Sequence, residues 1–132
     1  MLDKIPVKTG GQCTFTDITE QVAGAVRKSG VSEGICCVYV THTTAGVTIN
    51  ENADPDVPVD VLAGLDRIAP QRAGYRHAEG NSAAHIKTSL VGPSITLIIE
   101  GGRLILGTWQ SVFFCEFDGP RSRTVYVKVV AG

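Results

Sequence analysis

Residues 95–130 read ITLIIEGGRLILGTWQSVFFCEFDGPRSRTVYVKVV, and this stretch decides the fold. It contains four predicted strands, at Ile95–Ile99, Arg103–Leu106, Trp109–Phe117 and Thr124–Val130; all are largely apolar, and all but the second are rich in β-branched or aromatic residues. Such residues are typical of β-strands. Turn residues separate them, at Gly101-Gly102, Gly107 and Asp118-Gly119-Pro120. Because strands joined by short turns pair in opposite directions, this stretch predicts a mostly antiparallel sheet.

Further strands are predicted on the N-terminal side of this stretch. The segment Ile35–Thr41 is short, apolar and β-branched, which predicts a strand buried on both faces, with His42 at its end. A second strand is predicted at Val47–Asn50. Two short extended pieces, Ile5–Val7 and Cys13–Phe15, flank a glycine turn at residues 10–11.

Helix signals interrupt these strands at two or three places. Asp17 is a predicted N-cap with Glu20 completing a capping box, and the helix ends at Ser29-Gly30. Asp54-Pro55 predicts the start of a second helix that ends near residue 70, and Asn81 the start of a short third. Two or three helices with a late run of strands predict one α+β domain over residues 1–132.

Composition and charge narrow the classes of function. Lys and Arg total 12 and Asp and Glu 13, so the formal net charge of -1 provides no field for binding nucleic acid or an anionic membrane. No apolar run approaches the ~20 residues that cross a bilayer. The N-terminal residues do not resemble a signal peptide, so we expect a cytoplasmic protein, with its four cysteines as free thiols.

The three histidines, His42, His77 and His85, all fall at predicted strand ends, loops or helix starts. Side chains at such places can converge on one cleft, and three neutral imidazoles with one open position are a catalytic zinc site. Their neighbours, such as Thr41 and Glu79, are polar and suited to orienting ligated imidazoles. The alternative is that each histidine is satisfied separately by backbone groups, and the spacing alone does not decide between them.

Other polar residues are candidates for the same site. Glu51 lies at a predicted strand end near His42 in sequence, which suits a general base or a partner of a ligated histidine. Trp109 and Gln110 together suit stacking on and hydrogen bonding to a heteroaromatic ring, although core packing is an equal interpretation of a tryptophan. Arg121 and Arg123 beside a turn suit phosphate binding, and the alternative is a surface ion pair between Arg121 and Asp118.

Four motifs in this order resemble the YjbQ-type family, the secondary thiamine-phosphate synthases. They are HTTAGVTINENAD at residues 42–54, YRHAEGNSAAH at 75–85, GTWQ at 107–110 and FDGPRSR at 117–123. The resemblance covers nearly the whole chain. It implies a compact α+β fold, a homotrimer, and a metal- or anion-binding cleft at the three histidines that is shared between subunits.

The resemblance also implies an activity, the joining of a hydroxymethylpyrimidine diphosphate to a thiazole phosphate with release of pyrophosphate. In this hypothesis the three histidines hold a divalent metal, zinc rather than magnesium, which with Arg121 stabilises the departing diphosphate. The expected substrate-binding residues are Asn50, Asn81, Trp109, Gln110 and Arg121. Two alternatives remain: a zinc-dependent hydrolase of a small ester, amide or phosphate with Glu51 as base, and a non-catalytic trimeric protein that binds a metal or an anion.

Overall fold

The structure is a computed structural model, and it describes residues 2–132. The described residues form eight strands, which are β1 (Leu2–Lys8), β2 (Thr14–Asp17), β3 (Glu33–Val40), β4 (Ala45–Glu51), β5 (Ser94–Glu100), β6 (Arg103–Leu104), β7 (Gln110–Glu116) and β8 (Ser122–Ala131). The helices are α1 (Thr19–Ser29), α2 (Asp56–Ile68) and α3 (Ser82–Val91). The predicted α+β fold class is therefore confirmed.

The strands form two sheets. A five-stranded sheet has the order β1-β8-β3-β5-β6, and a three-stranded sheet has the order β2-β7-β4. Every strand pair within residues 2–132 is antiparallel, as predicted. The two extended pieces at the N-terminus, predicted on either side of Gly10-Gly11, lie in different sheets, since β1 pairs with β8 and β2 pairs with β7.

The main hydrophobic core lies between the two sheets. Strand β7 alternates strictly, because Val112 and Phe114 point into this core while Phe113 and Cys115 point to the opposite face. On that opposite face Phe113, Cys115 and Phe117 pack with Ala84 of α3 and with Leu62 and Leu65 of α2. The three-stranded sheet is therefore covered on both faces, and α1 adds Val22 and Val26 to the main core.

No part of residues 2–132 covers the outer face of the five-stranded sheet. Ile35 of β3 is 46% exposed and pairs across the sheet with Ile98 of β5 and Val130 of β8, which are 58% and 46% exposed. Tyr39 is exposed on the same face. The prediction that this strand is buried on both faces was wrong, because only its alternate residues face the core.

The helix boundaries differ from prediction in detail. Helix α1 begins at Thr19, whose N–H and hydroxyl both donate to Asp17 Oδ1, at 2.9 and 2.6 Å. Glu20 does not complete a capping box, and its Oε2 instead lies 3.6 Å from Nη2 of Arg27. Helix α1 ends as predicted at Gly30, which takes a left-handed conformation with φ 71°.

Helix α2 begins at Asp56, two residues after the predicted cap, and Asp54 Oδ1 still accepts a hydrogen bond from the Asp56 N–H at 2.9 Å. Helix α3 continues to Val91, beyond the short helix that was predicted. Strand β6 contains only two residues of the predicted Arg103–Leu106 strand. No helix within residues 2–132 combines the length and the apolar character that crossing a bilayer requires.

Candidate functional site

The three histidines line one cavity of about 440 Å³ at one end of the two sheets. His42 lies in the β3–β4 connection, His77 in the loop between α2 and α3, and His85 at the end of the first turn of α3. The cavity wall also contains polar residues from the β3–β4 and β7–β8 connections, from the start of β8 and from the loop before α3. These are Thr41, Thr43, Thr44, Glu79, Asn81, Asp118, Arg121 and Arg123.

His42 is held by the backbone of β8. Strand β3 ends opposite Val125, so the N–H of Thr124 is left to donate to His42 Nε2 at 3.0 Å. A lone pair on Nε2 requires the neutral imidazole with its proton on Nδ1. Burial, with a smaller contribution from the charge of Arg123, also lowers the pKa of His42 below its ordinary value. His42 is therefore a neutral hydrogen-bond donor through Nδ1.

His77 and His85 form the opposite wall. Their rings meet edge to face with centroids 5.4 Å apart. His77 Nε2 lies 3.9 Å from Glu79 Oε2, and both side chains are largely exposed. His85 belongs to the N-terminal half of α3, because this helix begins at Ser82 with Asn81 at the N-cap.

Asp118 contacts both Arg121 and Asn81 in the cavity wall. Its Oδ2 accepts from Arg121 at 3.0 Å and from Asn81 Nδ2 at 2.9 Å. Since a carboxylate only accepts, this contact fixes the Asn81 amide with its nitrogen toward Asp118. Asn81 Oδ1 is buried and has no hydrogen-bond partner among residues 2–132. The ion pair predicted as the alternative use of Arg121 is present, and it belongs to the cavity wall.

A buried ion pair lies beneath the cavity. Glu116 is fully buried, and it accepts hydrogen bonds from both Arg123 and the hydroxyl of Thr9, the latter at 2.8 Å. Arg123 also donates to Thr44 Oγ1 at 2.9 Å. Burial acts to raise the pKa of Glu116, but hydrogen bonds from Arg123, Asp118 N–H and Thr9 outweigh it and hold that pKa below its ordinary value.

This pair sets the electrostatics of the cavity. It keeps the guanidinium of Arg123 in a single orientation at the cavity wall. A ligand that binds there therefore does not have to order this side chain. Hydrogen-bond donors dominate the rest of the wall, from three imidazoles, a second guanidinium and three threonines. Such a wall is suited to a small anion with several acceptor oxygens.

The arrangement does not fit a zinc ion held by all three histidines. A zinc ligand must place an imidazole lone pair about 2.0–2.1 Å from the ion. The acceptor nitrogen of His42 is engaged by Thr124 N–H, and its other nitrogen carries the proton. Within residues 2–132 no three His, Cys, Asp or Glu side chains are placed to hold one ion. We therefore assign no metal to the cavity of a single chain.

Four predicted site residues lie at the opposite end of the three-stranded sheet. Asn50 and Glu51 end β4 and pair with Ser111 and Gln110 of β7. Strand β4 has seven residues. At about 3.4 Å per residue its length separates Glu51 from the histidines by about 20 Å within one chain. Within one chain these residues therefore lie outside the histidine cavity, and their part in the site stays a prediction.

Trp109 lies at the same end, next to Gln110. It is 62% exposed, so its interpretation as a core residue was also wrong. The Gln110 side chain accepts from Gly107 N–H at 2.8 Å, and Asn52 N–H donates to the Trp109 carbonyl at 3.1 Å. The backbone around this indole is therefore ordered while its ring faces outward.

Sequence reasoning missed Glu116 and gave Arg123 only a general phosphate role. The signal for Glu116 was present, because a carboxylate inside the apolar run Phe113–Phe117 must find a buried cation. The alternating pattern of β8 places Arg123 on the same face as Val125 and Val127. Only the packing of the two sheets against each other shows that these two residues meet.

The fold and the cleft define a class of protein: a two-sheet α+β domain with a donor-rich cavity at the end of the sheets. The family model described as UPF0047 protein YjbQ-like matches residues 3–132. The chain belongs to this family, and the resemblance drawn from the four motifs is confirmed.

Curated relatives and solved structures match the full length. The UPF0047 protein YugU of Bacillus subtilis is 50% identical over 131 residues, which cover 98% of this chain and 99% of the relative. A UPF0047 protein of Methanocaldococcus jannaschii is 52% identical over 130 residues, covering 98% and 94%. A crystal structure of an uncharacterized conserved protein of this family from Clostridium acetobutylicum has a TM-score of 0.96 and 55% identity, covering 97% and 99%.

Proposed function

We propose that the histidine cavity binds a phosphorylated small molecule and that the protein is an enzyme acting on it. One observation carries this proposal: three histidines and two arginines from separate parts of the chain line a single cavity of about 440 Å³. That volume suits a small ligand. Its donors suit phosphate oxygens, because guanidinium groups form charge-assisted hydrogen bonds to anions and the imidazole N–H groups add further donors.

The reaction we propose is that of a thiamine-phosphate synthase-type transferase. The carbon–oxygen bond of a hydroxymethylpyrimidine diphosphate breaks, and its electron pair leaves with pyrophosphate. A thiazole phosphate supplies the nitrogen lone pair that forms the new carbon–nitrogen bond. Negative charge therefore grows on the departing oxygens, where preorganised cationic donors lower the barrier most.

Each residue has a distinct part in this hypothesis. Arg123, oriented by Glu116, and Arg121, oriented by Asp118, stabilise the diphosphate. His42 donates from Nδ1, because Thr124 N–H occupies its other nitrogen. His77 and His85 are the candidates to give a proton to the departing oxygens. Unlike Nε2 of His42, the ring nitrogens of these two residues accept no hydrogen bond from a backbone N–H in the described chain.

We further propose that the protein is a homotrimer whose subunits share the site. Within one chain Glu51 and Trp109 lie far from the histidines. A neighbouring subunit could bring its own Glu51 and Trp109 to this chain's histidines, and this supports a shared site. The exposed row of Ile98, Ile35 and Val130 supports it too, since an apolar sheet face of this kind is typical of a subunit interface. In this arrangement Trp109 and Gln110 hold the pyrimidine.

Two alternatives belong to other classes. A zinc-dependent hydrolase with Glu51 as base requires a metal that the single-chain cavity does not fit. A non-catalytic trimeric protein that binds an anion uses the same donors without any turnover. A cytoplasmic location stays a prediction from the sequence.

The test combines binding and turnover in one preparation, purified without chelator and analysed for bound metal. We expect calorimetry to show that pyrophosphate binds. We also expect the protein to release pyrophosphate when the pyrimidine diphosphate and the thiazole phosphate are supplied together. The Arg121→Gln variant should bind pyrophosphate about tenfold more weakly, through loss of a charge-assisted contact, while Glu20→Gln on the exposed face of α1 should not change it. Wild-type protein that neither binds pyrophosphate nor releases it would refute the proposal.

Other outcomes select the alternatives. Binding without turnover favours the binding protein, and stoichiometric zinc with ester hydrolysis favours the hydrolase. The shared site has its own test, in which Glu51→Gln and His85→Asn are each inactive as homotrimers. Co-expression of the two variants should restore activity in mixed trimers. A monomeric mass in light scattering, or no restoration, would contradict a shared site.

A further inference from the structure

A second cleft adjoins the histidine cavity. It has a volume of about 400 Å³ and is formed by the loop between α2 and α3. Its lining residues are Gln71, Arg72, Ala73, Gly74, Tyr75, His77 and Gly80. His77 lines both this cleft and the histidine cavity, so one imidazole forms the boundary between them.

The shape of this loop is fixed by the chain itself. The Tyr75 hydroxyl donates to the carbonyl of Pro70 at 2.6 Å, which links the middle of the loop to its start. Gly74 and Gly80 have φ values of 69° and 78°, a left-handed conformation that disfavours other residues. Local structure therefore favours this conformation of the loop.

The cleft carries a cation without a counter-ion. None of the ion pairs within residues 2–132 includes Arg72, whereas Arg121 and Arg123 in the histidine cavity each have a carboxylate partner. An exposed, unpaired guanidinium is a phosphate-binding group that loses no existing ion pair when it binds. Tyr75 supplies an aromatic side chain in the same cleft.

We propose that this cleft binds a second phosphorylated molecule, a phosphate monoester of a small heteroaromatic alcohol, with Arg72 on its phosphate. The inference rests on the proposed function, in which two phosphorylated substrates react with each other. The diphosphate lies among the histidines and arginines, and the monoester lies in the adjoining cleft. Their reacting atoms meet beside His77.

This placement accounts for the atoms of the reaction. The monoester's ring nitrogen donates its lone pair to the methylene carbon, and the carbon–oxygen bond to the diphosphate breaks. The electron pair leaves on the diphosphate oxygen, and His77 is positioned to protonate that oxygen. The phosphate of the monoester is unchanged, so Arg72 determines specificity and does not take part in the chemistry.

The experiment compares Arg72→Gln with Arg76→Gln, a matched control in the same loop that lines neither cavity. The probes are thiazole phosphate and inorganic pyrophosphate, each titrated alone in calorimetry, followed by steady-state rates with both substrates. We expect Arg72→Gln to weaken thiazole phosphate binding and raise its KM about fivefold to tenfold, as loss of one exposed charge-assisted contact does. Pyrophosphate binding and kcat should stay within about twofold, a change too small to represent a lost hydrogen bond.

The outcomes separate this inference from the proposed function. If thiazole phosphate binds equally well to Arg72→Gln and Arg76→Gln, the second cleft is refuted even where pyrophosphate still binds. If pyrophosphate fails to bind wild-type protein while thiazole phosphate binding depends on Arg72, the cleft stands and the transferase proposal fails. Equal weakening of both probes by Arg72→Gln would assign this arginine to the histidine cavity and overturn the inference.

Discussion

Replacing Glu116 by Gln removes the negative member of the buried pair and keeps the shape of the side chain. Arg123 is then left with its charge inside the protein, and its side chain is only 6% exposed. Removing one partner of a buried ion pair costs about 3–5 kcal/mol, because the remaining charge is neither solvated nor neutralised. For a domain of this size such a loss lowers Tm by about 10–20 °C.

The cost should depend on pH. Hydrogen bonds hold the pKa of Glu116 below its ordinary value in the folded protein, although burial alone would raise it. A carboxylate with a depressed folded pKa contributes stability that is fully present above its unfolded pKa of about 4.3. That contribution is lost as the pH falls through the folded pKa. The difference between wild type and Glu116→Gln should therefore be largest near neutral pH and shrink below about pH 4.

Urea denaturation followed by circular dichroism, at several pH values, measures this difference. Glu20→Gln is the matched control, since its ion pair with Arg27 is exposed, and it should change stability by less than about 0.5 kcal/mol. Adding Arg123→Met to Glu116→Gln removes the unpaired charge and should recover much of the loss. A Glu116→Gln cost below about 1 kcal/mol, or one independent of pH, would refute the reasoning.

Three further predictions concern single groups. In ¹⁵N spectra at pH 7, His42 should carry its proton on Nδ1 with Nε2 unprotonated, and a protonated Nε2 would contradict the contact with β8. Asp66→Asn should cost about 1–3 kcal/mol in urea denaturation because Lys87, 1% exposed, loses its carboxylate partner. Lys87→Met should be near neutral, and equal costs for the two variants would contradict this. Gly46→Ala places a Cβ 2.6 Å from the backbone oxygen of Gly92 and should destabilise the protein by about 1–3 kcal/mol. Gly24→Ala in α1 meets no such obstacle and should stabilise it by about 0.5 kcal/mol. If thermal unfolding shows stability changes of the same sign for both variants, this prediction is wrong.

The elements themselves could be predicted from the sequence because their signals are local. β-Branched runs separated by glycine turns predicted β5, β7 and β8, and Gly30 correctly marked the end of α1. The motifs identified the family, whose model matches residues 3–132. Placing the histidines outside the strands was also sound, since each lies in a loop or near a helix start.

Which residues meet was decided only by the tertiary structure. Glu51 is nine positions from His42 (51 − 42), yet an extended strand carries it away from the cavity at about 3.4 Å per residue. His85 is 43 positions from His42 (85 − 42), yet both line one cavity, because α3 packs beside β4. Glu116 and Arg123 likewise become partners only when the two sheets close over their shared core. Residues that follow one another along an extended strand are held apart in space. Residues far apart in sequence are brought together only when burial of apolar surface offsets the entropy lost on folding.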